Sequence, residues 1–457
     1  MMTMQLSEAA RVLDARCRDD DVMFRGVSTD SRQLQAGNLF VALQGPNFDG
    51  HDYLGMAREQ GAVAAAVSRN VDCGMPLLEV GDTRLALGRL AGHWRSQFDL
   101  PVIAITGSNG KTTVRSMVQA ILECAGQTLS TRGNLNNDIG VPLTLFRLAA
   151  DDRYAVIEMG ANHPGEIDYL AGITRPTIAV VTNAGPAHLE GFGDLDGVAR
   201  AKGELFARLD SSATAVINAD DRYAGLWREL AGDSRVLDFG LEQEAAVTAD
   251  WKGDPTGSDV CLMTPAGELA VRLPLPGRHN VLNALAAVAA ALAAGIGLDS
   301  IGRGLESLAP VNGRFNIHTL PGDVTVIDDT YNANPESLAV ALDVLAMADG
   351  EKWLVLGDMG ELGPRAAEMH REAGRRAREA GVDRLFTLGK LAGEAVSGFG
   401  GGIAAQTHNE LLQALRNGLQ DRVNILVKGS RLMRMELVVE SLGAAVRGSS
   451  GNAEVRH

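Results

Sequence analysis

The chain has 457 residues, 46% of them hydrophobic, enough for about three domains of ordinary size with filled cores. Its formal net charge of -15 argues against general affinity for nucleic acid or anionic membranes, because neutralising phosphates takes a basic face, so a polyanionic ligand must be held by a local site. Cys17, Cys73, Cys124 and Cys261 are far apart and form no C-x-x-C pair, which speaks against a zinc knuckle or a disulfide framework and for reduced thiols.

The first stretch, "MMTMQLSEAARVLDARC", carries acidic residues and no uninterrupted apolar core, so it does not read as a signal peptide. From Phe24 to about Val80, "GVSTDSR", "NLFVALQG" and "GAVAAAVS" are apolar pieces between Gly and Asp punctuation, and they predict a small α/β unit. A helical stretch near "RLALGRLAGHWRSQF" follows, and Pro101 opens a new pattern. "VIAITG" is a continuous apolar run ending in glycine, as suits a buried strand of a parallel sheet. Beyond "TGSNGKTT", Val114, Met117, Val118, Ile121, Leu122 and Ala125 recur at helical spacing, with Gly126 as the expected C-terminal cap.

Further buried strands are predicted at "YAVIEMG", "TIAVVTNAG" and "ATAVINADD". They end in Glu158, in Thr182 and Asn183, and in Asn218 and Asp220, at the strand ends where doubly wound sheets bind ligands. "VLNALAAVAAALAAGIGL", from Val281, is alanine-dominated and contains Asn283, so it reads as a buried helix and not as a membrane span. After "APVNGRF", strands at "VTVIDDTY", "KWLVLGDMG", "RLFTLG" and "NILVKGS" alternate with helical segments. Boundaries fall near residues 99 and 313, giving an α/β chain of three units, 1–98, 99–312 and 313–457, whose tail "GSSGNAEVRH" is expected to be disordered.

The glycine loop carries the chemistry. Gly107 and Gly110 are separated by only two residues, where the common phosphate loop has four before its Gly-Lys-Ser/Thr triplet. The strand, loop and helix order is nevertheless the one such a loop requires. Backbone N–H groups across Gly107, Ser108, Asn109, Gly110, Lys111, Thr112 and Thr113, with the positive end of the following helix, can cradle an anion. Lys111 would reach the terminal phosphates and Thr112 could ligate magnesium; the plain alternative is a glycine turn with an exposed lysine.

The compressed T-G-x-x-G-K-T-T loop resembles that of the Mur ligases and the related folylpolyglutamate synthetases, ATP-dependent amide-forming enzymes. "DSRQLQAGNLFVALQGPNFDGHDY" looks like the UDP-sugar-binding domain of that family. "TRGNLNNDIGVPLTL", "IDDTYNANPES", "VLGDMGELG" and "VKGSRLMRME", present together and in order, look like the members that attach D-alanyl-D-alanine to UDP-N-acetylmuramoyl-tripeptide. The resemblance implies a UDP-binding domain, a central P-loop ATPase sheet with helices on both faces, and a C-terminal Rossmann-like domain. It also implies ATP as cosubstrate, two magnesium ions, an acyl-phosphate intermediate, and a monomer working in cytoplasmic peptidoglycan-precursor synthesis, with no nucleic acid partner and no membrane insertion.

Under that resemblance the chemistry falls to Lys111, Lys202, Arg314 and His188. Glu158 in "IEMGANHPGE" and His188 in "AGPAHLEGFG" match the second magnesium site, a hard oxygen completed by a neutral imidazole, although read alone each is more readily a structural residue than a ligand. Lys202, in "GVARAKGELFARL", stands where the family has a lysine that takes up carbon dioxide as a carbamate to support the metal site. That needs a neutral amine, hence burial or nearby cations, whereas most helix lysines are simply exposed.

Asn280 and Asn283 lie one turn apart on an otherwise apolar helix and match positions used toward adenine, with helix capping by Asn280 as the other reading. Arg314 and Asp329 match residues that reach the nucleotide from the C-terminal domain, a guanidinium for phosphoryl charge and a carboxylate for ribose hydroxyls. Asn332 and Asn334 assist them or make the turn before Pro335. Lys428 and Arg431 are candidates for the incoming dipeptide's carboxylate. Ser28, Asp30, Ser31 and Arg32, with Asp49, Gly50 and His51, resemble the uridine diphosphate pocket or form two polar turns; Asn134 and Asn137 resemble contacts to the muramoyl-peptide.

Three other readings compete. A diaminopimelate-adding ligase should carry a D-N-P-R motif in its C-terminal domain, and the sequence has none. A switch or transport NTPase should show the full-length loop. A dinucleotide oxidoreductase should show G-x-G-x-x-G after a C-terminal strand, and that too is missing.

Overall fold

The computed structural model describes residues 2–18, 21–186, 189–254, 256–309 and 313–450, with backbone only at 189 and 444–450. At its centre lies a six-stranded parallel sheet in the order Thr128–Ser130, Tyr154–Glu158, Val102–Thr106, Ile178–Val181, Thr214–Asn218, Arg235–Phe239. The apolar run at Val102–Thr106 is thus an interior strand with both faces covered. Its residues alternate between two cores: Ile103 and Ile105 face the helices Lys111–Glu123, Arg278–Ala293 and Leu298–Glu306, while Val102 and Ala104 face Thr83–Arg95, Glu166–Thr174 and Leu195–Ala207.

The alanine-rich segment is the helix Arg278–Ala293, buried along most of its length. Small side chains let it lie close to the sheet and to the helix after the glycine loop. Among the described residues no helix is long and apolar enough to cross a membrane. None of the four cysteines is in a disulfide.

Sequence reading missed a three-stranded antiparallel sheet, Thr248–Asp254, Gly257–Thr264 and Gly267–Leu273, between the last central strand and the alanine helix. It also missed four edge strands, Thr128–Ser130, Arg235–Phe239, Ile403–Ala405 and Asn316–Leu320, the last of which pairs antiparallel with Val324–Asp329. In the N-terminal unit the three predicted pieces are the strands Val27–Ser28, Leu39–Val41 and Ala64–Val67, parallel neighbours in a five-stranded sheet.

The C-terminal sheet runs Asn316–Leu320, Val324–Asp329, Val423–Lys428, Glu351–Gly357, Arg384–Leu388, Ile403–Ala405, parallel after its first pair. This order places Asp329 opposite Lys428 at the carboxyl end. The last helix, Glu436–Ser450, includes the first three residues of the tail expected to be disordered, and 451–457 lie outside the described residues.

One apolar core runs across the boundary placed near residue 99. Arg95, buried at the end of the helix Thr83–Arg95, donates to the carbonyls of Thr174 (3.0 Å), Arg175 (3.3 Å) and Phe98 (2.6 Å). The N-terminal unit is therefore bolted to the central one through charge-assisted hydrogen bonds at a helix C-terminus.

Candidate active site

A cleft of about 1470 Å³ opens at the carboxyl ends of the central strands and is lined by all three units. The glycine loop forms its floor. Gly107 and Gly110 have φ of +145° and +82°, and a Cβ would stand 2.0 Å from Thr182 Oγ1 at the first and 2.4 Å from Asn283 Oδ1 at the second. Both positions therefore need glycine for conformation and for space. The loop is braced by its neighbours: Asn183 accepts from Ser108 N (3.1 Å, carbonyl) and Asn109 N (2.9 Å, Oδ1), and Thr182 Oγ1 donates to the Asn109 carbonyl (2.6 Å).

Gly110 caps the helix Lys111–Glu123 with no side-chain cap, so its first N–H groups point toward the cleft without intrahelical partners. Lys111 curls back and donates from Nζ to the carbonyls of Gly107 (2.6 Å) and Ser108 (3.1 Å). Burial, opposed by the Glu158 charge and aided by Arg314, pushes it down to about 8.

Beside the loop sits a carboxylate with an unmet need. Glu158 is 2% exposed; its Oε1 accepts from Thr112 Oγ1 (3.2 Å) and Asn136 Nδ2 (3.0 Å). Its Oε2 is buried without a hydrogen bond but forms an ion pair at 3.4 Å with Arg115 Nε, itself a buried donor without a hydrogen-bond acceptor. Hard oxygens so placed fit a magnesium ion. Among the described residues no three His, Cys, Asp or Glu side chains converge, so such an ion would draw most of its shell from water and phosphate. His188 lies outside the described residues.

Lys202 is not an exposed helix lysine. It is 1% exposed, donates to the Ala161 carbonyl (3.3 Å), and its ammonium lies 5.1 Å from the Phe192 ring centre. Burial, and then the Lys111 charge, push it down to about 7 against Glu166 and Glu204. This is the environment that carbamylation requires.

Asn280 does not cap its helix. The helix starts at Arg278, and Asn280 Nδ2 donates to the Pro276 carbonyl (2.8 Å) while its Oδ1 receives Asn283 Nδ2 (3.3 Å). Both amides line the cleft. Sequence reading passed over His279 beside them; its ring lies 5.1 Å from Phe315 and its Nε2 is buried without a partner. Burial, and then the Lys428 charge, push His279 down to about 3, so it is neutral. Its place immediately before Asn280 is the one signal that could have marked it.

From the C-terminal unit, Arg314 Nη2 donates to Thr112 Oγ1 (3.0 Å), with the guanidinium 4.2 Å from the Tyr331 ring centre. Asp329 and Lys428, given separate roles above, form one buried ion pair at 2.5 Å, and Lys428 also donates to the Asn332 carbonyl (2.9 Å). Arg431 is exposed at the rim and pairs with Glu436 (3.1 Å). Asn334 caps the helix Pro335–Ala346 in a reciprocal box with Ser337, and also donates to Asn109 Oδ1 (2.9 Å).

The N-terminal residues are not brought to this cleft. Asp30 binds Arg32 at Nε (2.9 Å) and Nη2 (2.8 Å) and receives Arg32 N, while Ser28 Oγ donates to the Asp30 carbonyl (3.0 Å). Ser31 is buried against Met56. Asp49 binds His51 at N and Nδ1, and His51 Nε2 accepts from Ser68 N (3.0 Å), which sets the tautomer. Gly50 leaves no room for a Cβ against the Leu43 backbone. These are two ordered polar turns. The N-terminal unit lines the cleft instead with Asp82, Arg84 and Leu85; Arg84 pairs with Asp138 (2.8 Å). Asn137 lines it too and caps Gly140 N (2.9 Å), whereas Asn134 is exposed outside it.

Three family models match the chain: the Mur ligase family catalytic domain over residues 23–95, the Mur ligase middle domain over 105–291, and the Mur ligase glutamate ligase domain over 313–431. The UDP-N-acetylmuramoyl-tripeptide--D-alanyl-D-alanine ligase of Escherichia coli (strain K12) is 44% identical over 449 residues, covering 97% of this chain and 99% of its own. A crystal structure of MurF from Acinetobacter baumannii superposes with a TM-score of 0.93 at 38% identity, covering 97% and 99%. The MurF ligase of Thermotoga maritima in complex with ADP gives a TM-score of 0.84 at 28% identity, covering 93% and 98%.

Proposed function

The chain belongs to the Mur ligase family, and on that footing we propose that it joins D-alanyl-D-alanine to UDP-N-acetylmuramoyl-tripeptide in an ATP-dependent, ADP-forming ligation of peptidoglycan-precursor synthesis. The observation that carries most weight is the contact of Arg314 with Thr112: a cation from the C-terminal unit rests on the phosphate loop of the central one. A γ-phosphoryl group bound there is enclosed by both.

The chemistry follows from the reactants. A carboxylate is a poor electrophile, so transfer of the γ-phosphoryl group to the tripeptide carboxylate forms an acyl phosphate and ADP. The dipeptide amine then attacks the carbonyl, and phosphate leaves from the tetrahedral intermediate. Lys111 exchanges its two loop carbonyls for phosphate oxygens, the loop N–H groups hold the same anion, and Arg314 neutralises charge on the transferred group. Asn280 and Asn283 face the base and Asp329 the ribose. Lys428 and Arg431 stand on the dipeptide's side, and the polar turns around Ser28 and Asp49 hold the UDP end.

Thr112 would hold one magnesium ion, and Glu158 with His188 and carbamylated Lys202 a second; the chemistry such ions would supply is neutralisation of phosphate charge. The neutral amine that Lys202 supplies near pH 7 is what carbon dioxide needs. Docking of the C-terminal unit also keeps water from the acyl phosphate. The protein acts as a cytoplasmic monomer.

The test is phosphate release from magnesium-ATP with UDP-N-acetylmuramoyl-tripeptide, with and without D-alanyl-D-alanine, following the product by mass. Release that needs the dipeptide, with loss of one water from the combined acceptors, is expected. Turnover indifferent to both acceptors would overturn the assignment.

A further inference from the structure

Arg314 is not alone in reaching the phosphate loop from the C-terminal unit. Asn109, the second of the two residues between the loop glycines, has both ends of its carboxamide occupied from that side. Asn334 Nδ2 donates to its Oδ1 (2.9 Å), and its Nδ2 donates to Glu336 Oε2 (3.1 Å). Asn334 and Glu336 are the N-cap and second residue of the helix Pro335–Ala346, so one rigid helix start makes both bonds.

The Asn109 backbone belongs wholly to the central unit, where Asn183 and Thr182 hold its N–H and carbonyl. Its side chain is the part that reads the other unit. Space is matched to this contact: a Cβ on Gly185, whose N–H and carbonyl bond Ser108 Oγ, would stand 1.8 Å from Glu336 Oε2. Glu336 as a whole is exposed along the cleft, but its carboxyl end is crowded. Burial, and then the Asp221 charge, push it up to about 7, opposed by Arg376 and by the Asn109 bond.

Resting on the ligase reading above, we propose that Asn109, Asn334 and Glu336 form a docking latch. Glu336 is a positioning residue that locks the phosphate loop in its productive shape only when the C-terminal unit is seated. A carboxamide suits the loop position because it presents one acceptor to the Asn334 donor and one donor to the Glu336 acceptor. Aspartate would keep the first bond and set a carboxylate against Glu336. Glutamine at 336 would convert that clash into a hydrogen bond.

This reciprocity makes the test specific. In the complete enzyme, steady-state kinetics with saturating tripeptide and dipeptide are measured for wild type, N109D, E336A, E336Q and the double variant N109D/E336Q, with thermal melts as a folding control. E336A should lower kcat/KM for ATP about 10-fold, the scale of one hydrogen bond to a charged acceptor, and E336Q should regain most of the loss. N109D should lose at least as much, and adding E336Q to N109D should recover about 5-fold or more. A double variant no faster than N109D, or E336A kinetics equal to wild type, would overturn the latch. If E336A melts early, the N109D pair decides alone. Absence of dipeptide-dependent turnover in the wild type would instead reject the ligase reading, so the two failures are distinguishable.

Discussion

Arg314 and Thr112 are 202 residues apart in the chain, yet Nη2 of the one donates to Oγ1 of the other across 3.0 Å. The same hydroxyl donates to Glu158, so a single threonine joins the C-terminal cation to the buried carboxylate beside the loop. Removing the guanidinium should therefore act on the chemical step. For Arg314→Ala we expect kcat to fall about 100-fold or more, with a smaller change in KM for ATP, and Arg314→Lys should recover little because one ammonium cannot span both groups. Rapid-quench measurement of ADP formation checks this.

Lys111 should be indispensable, and its loop should accept no bulk. Lys111→Ala is expected to abolish dipeptide-dependent phosphate release while leaving the fold intact, since its ammonium bonds only loop carbonyls. Gly110→Ala should weaken ATP binding about 10-fold or more, because the residue has φ of +82° and its Cβ would strike Asn283. Calorimetric titration with a non-hydrolysable ATP analogue separates the two effects.

Lys202 sets a pH signature on stability. Its native value near 7 lies below the ordinary 10.5, so between those values the unfolded chain binds the extra proton and stability rises with pH; below 7 the cost of the buried ammonium is felt in full. Lys202→Met should stabilise the unliganded protein at pH 7 by about 2–4 kcal/mol and flatten its slope up to pH 9.5. Urea unfolding at both pH values reads this, and Lys111 accounts for part of the remaining slope.

The same lysine should make turnover depend on dissolved carbon dioxide. In degassed buffer near pH 7 activity should fall several-fold and return on adding bicarbonate, while Lys202→Ala should be slow and indifferent to bicarbonate. Equal rates with and without bicarbonate in the wild type would remove the carbamate from the mechanism.

The Asp329 and Lys428 pair is buried on both sides, with side chains 9% and 2% exposed. Taking away one charge strands the other, so Asp329→Ala should destabilise the C-terminal unit by about 3–5 kcal/mol. Asp329→Ala combined with Lys428→Met should cost clearly less than the single change. Denaturant midpoints followed by fluorescence of Trp353, buried in the same sheet, report it.

Several features of this protein were legible in the chain because they are local. An interior parallel strand must be apolar on both faces, so "VIAIT" announced itself; the glycine loop and the helical spacing after it are also statements about neighbours in sequence. The edge strands and the three-stranded sheet of Thr248–Leu273 were missed because half-exposed strands carry mixed side chains and a weak pattern. What the sequence determined alone was therefore the central strand, the loop, and the order of the three α/β units.

Only the tertiary structure decided how distant groups meet. Parallel register put Asp329 opposite Lys428 and made one ion pair of two residues with different expected roles. Packing buried Lys202 and lowered its proton affinity, and it left the turns at Ser28 and Asp49 outside the cleft. It set Glu336 and Asn334 on the Asn109 carboxamide. Burial, charge proximity and hydrogen-bond partnership are properties of three-dimensional neighbours, and spacing along the chain does not encode them.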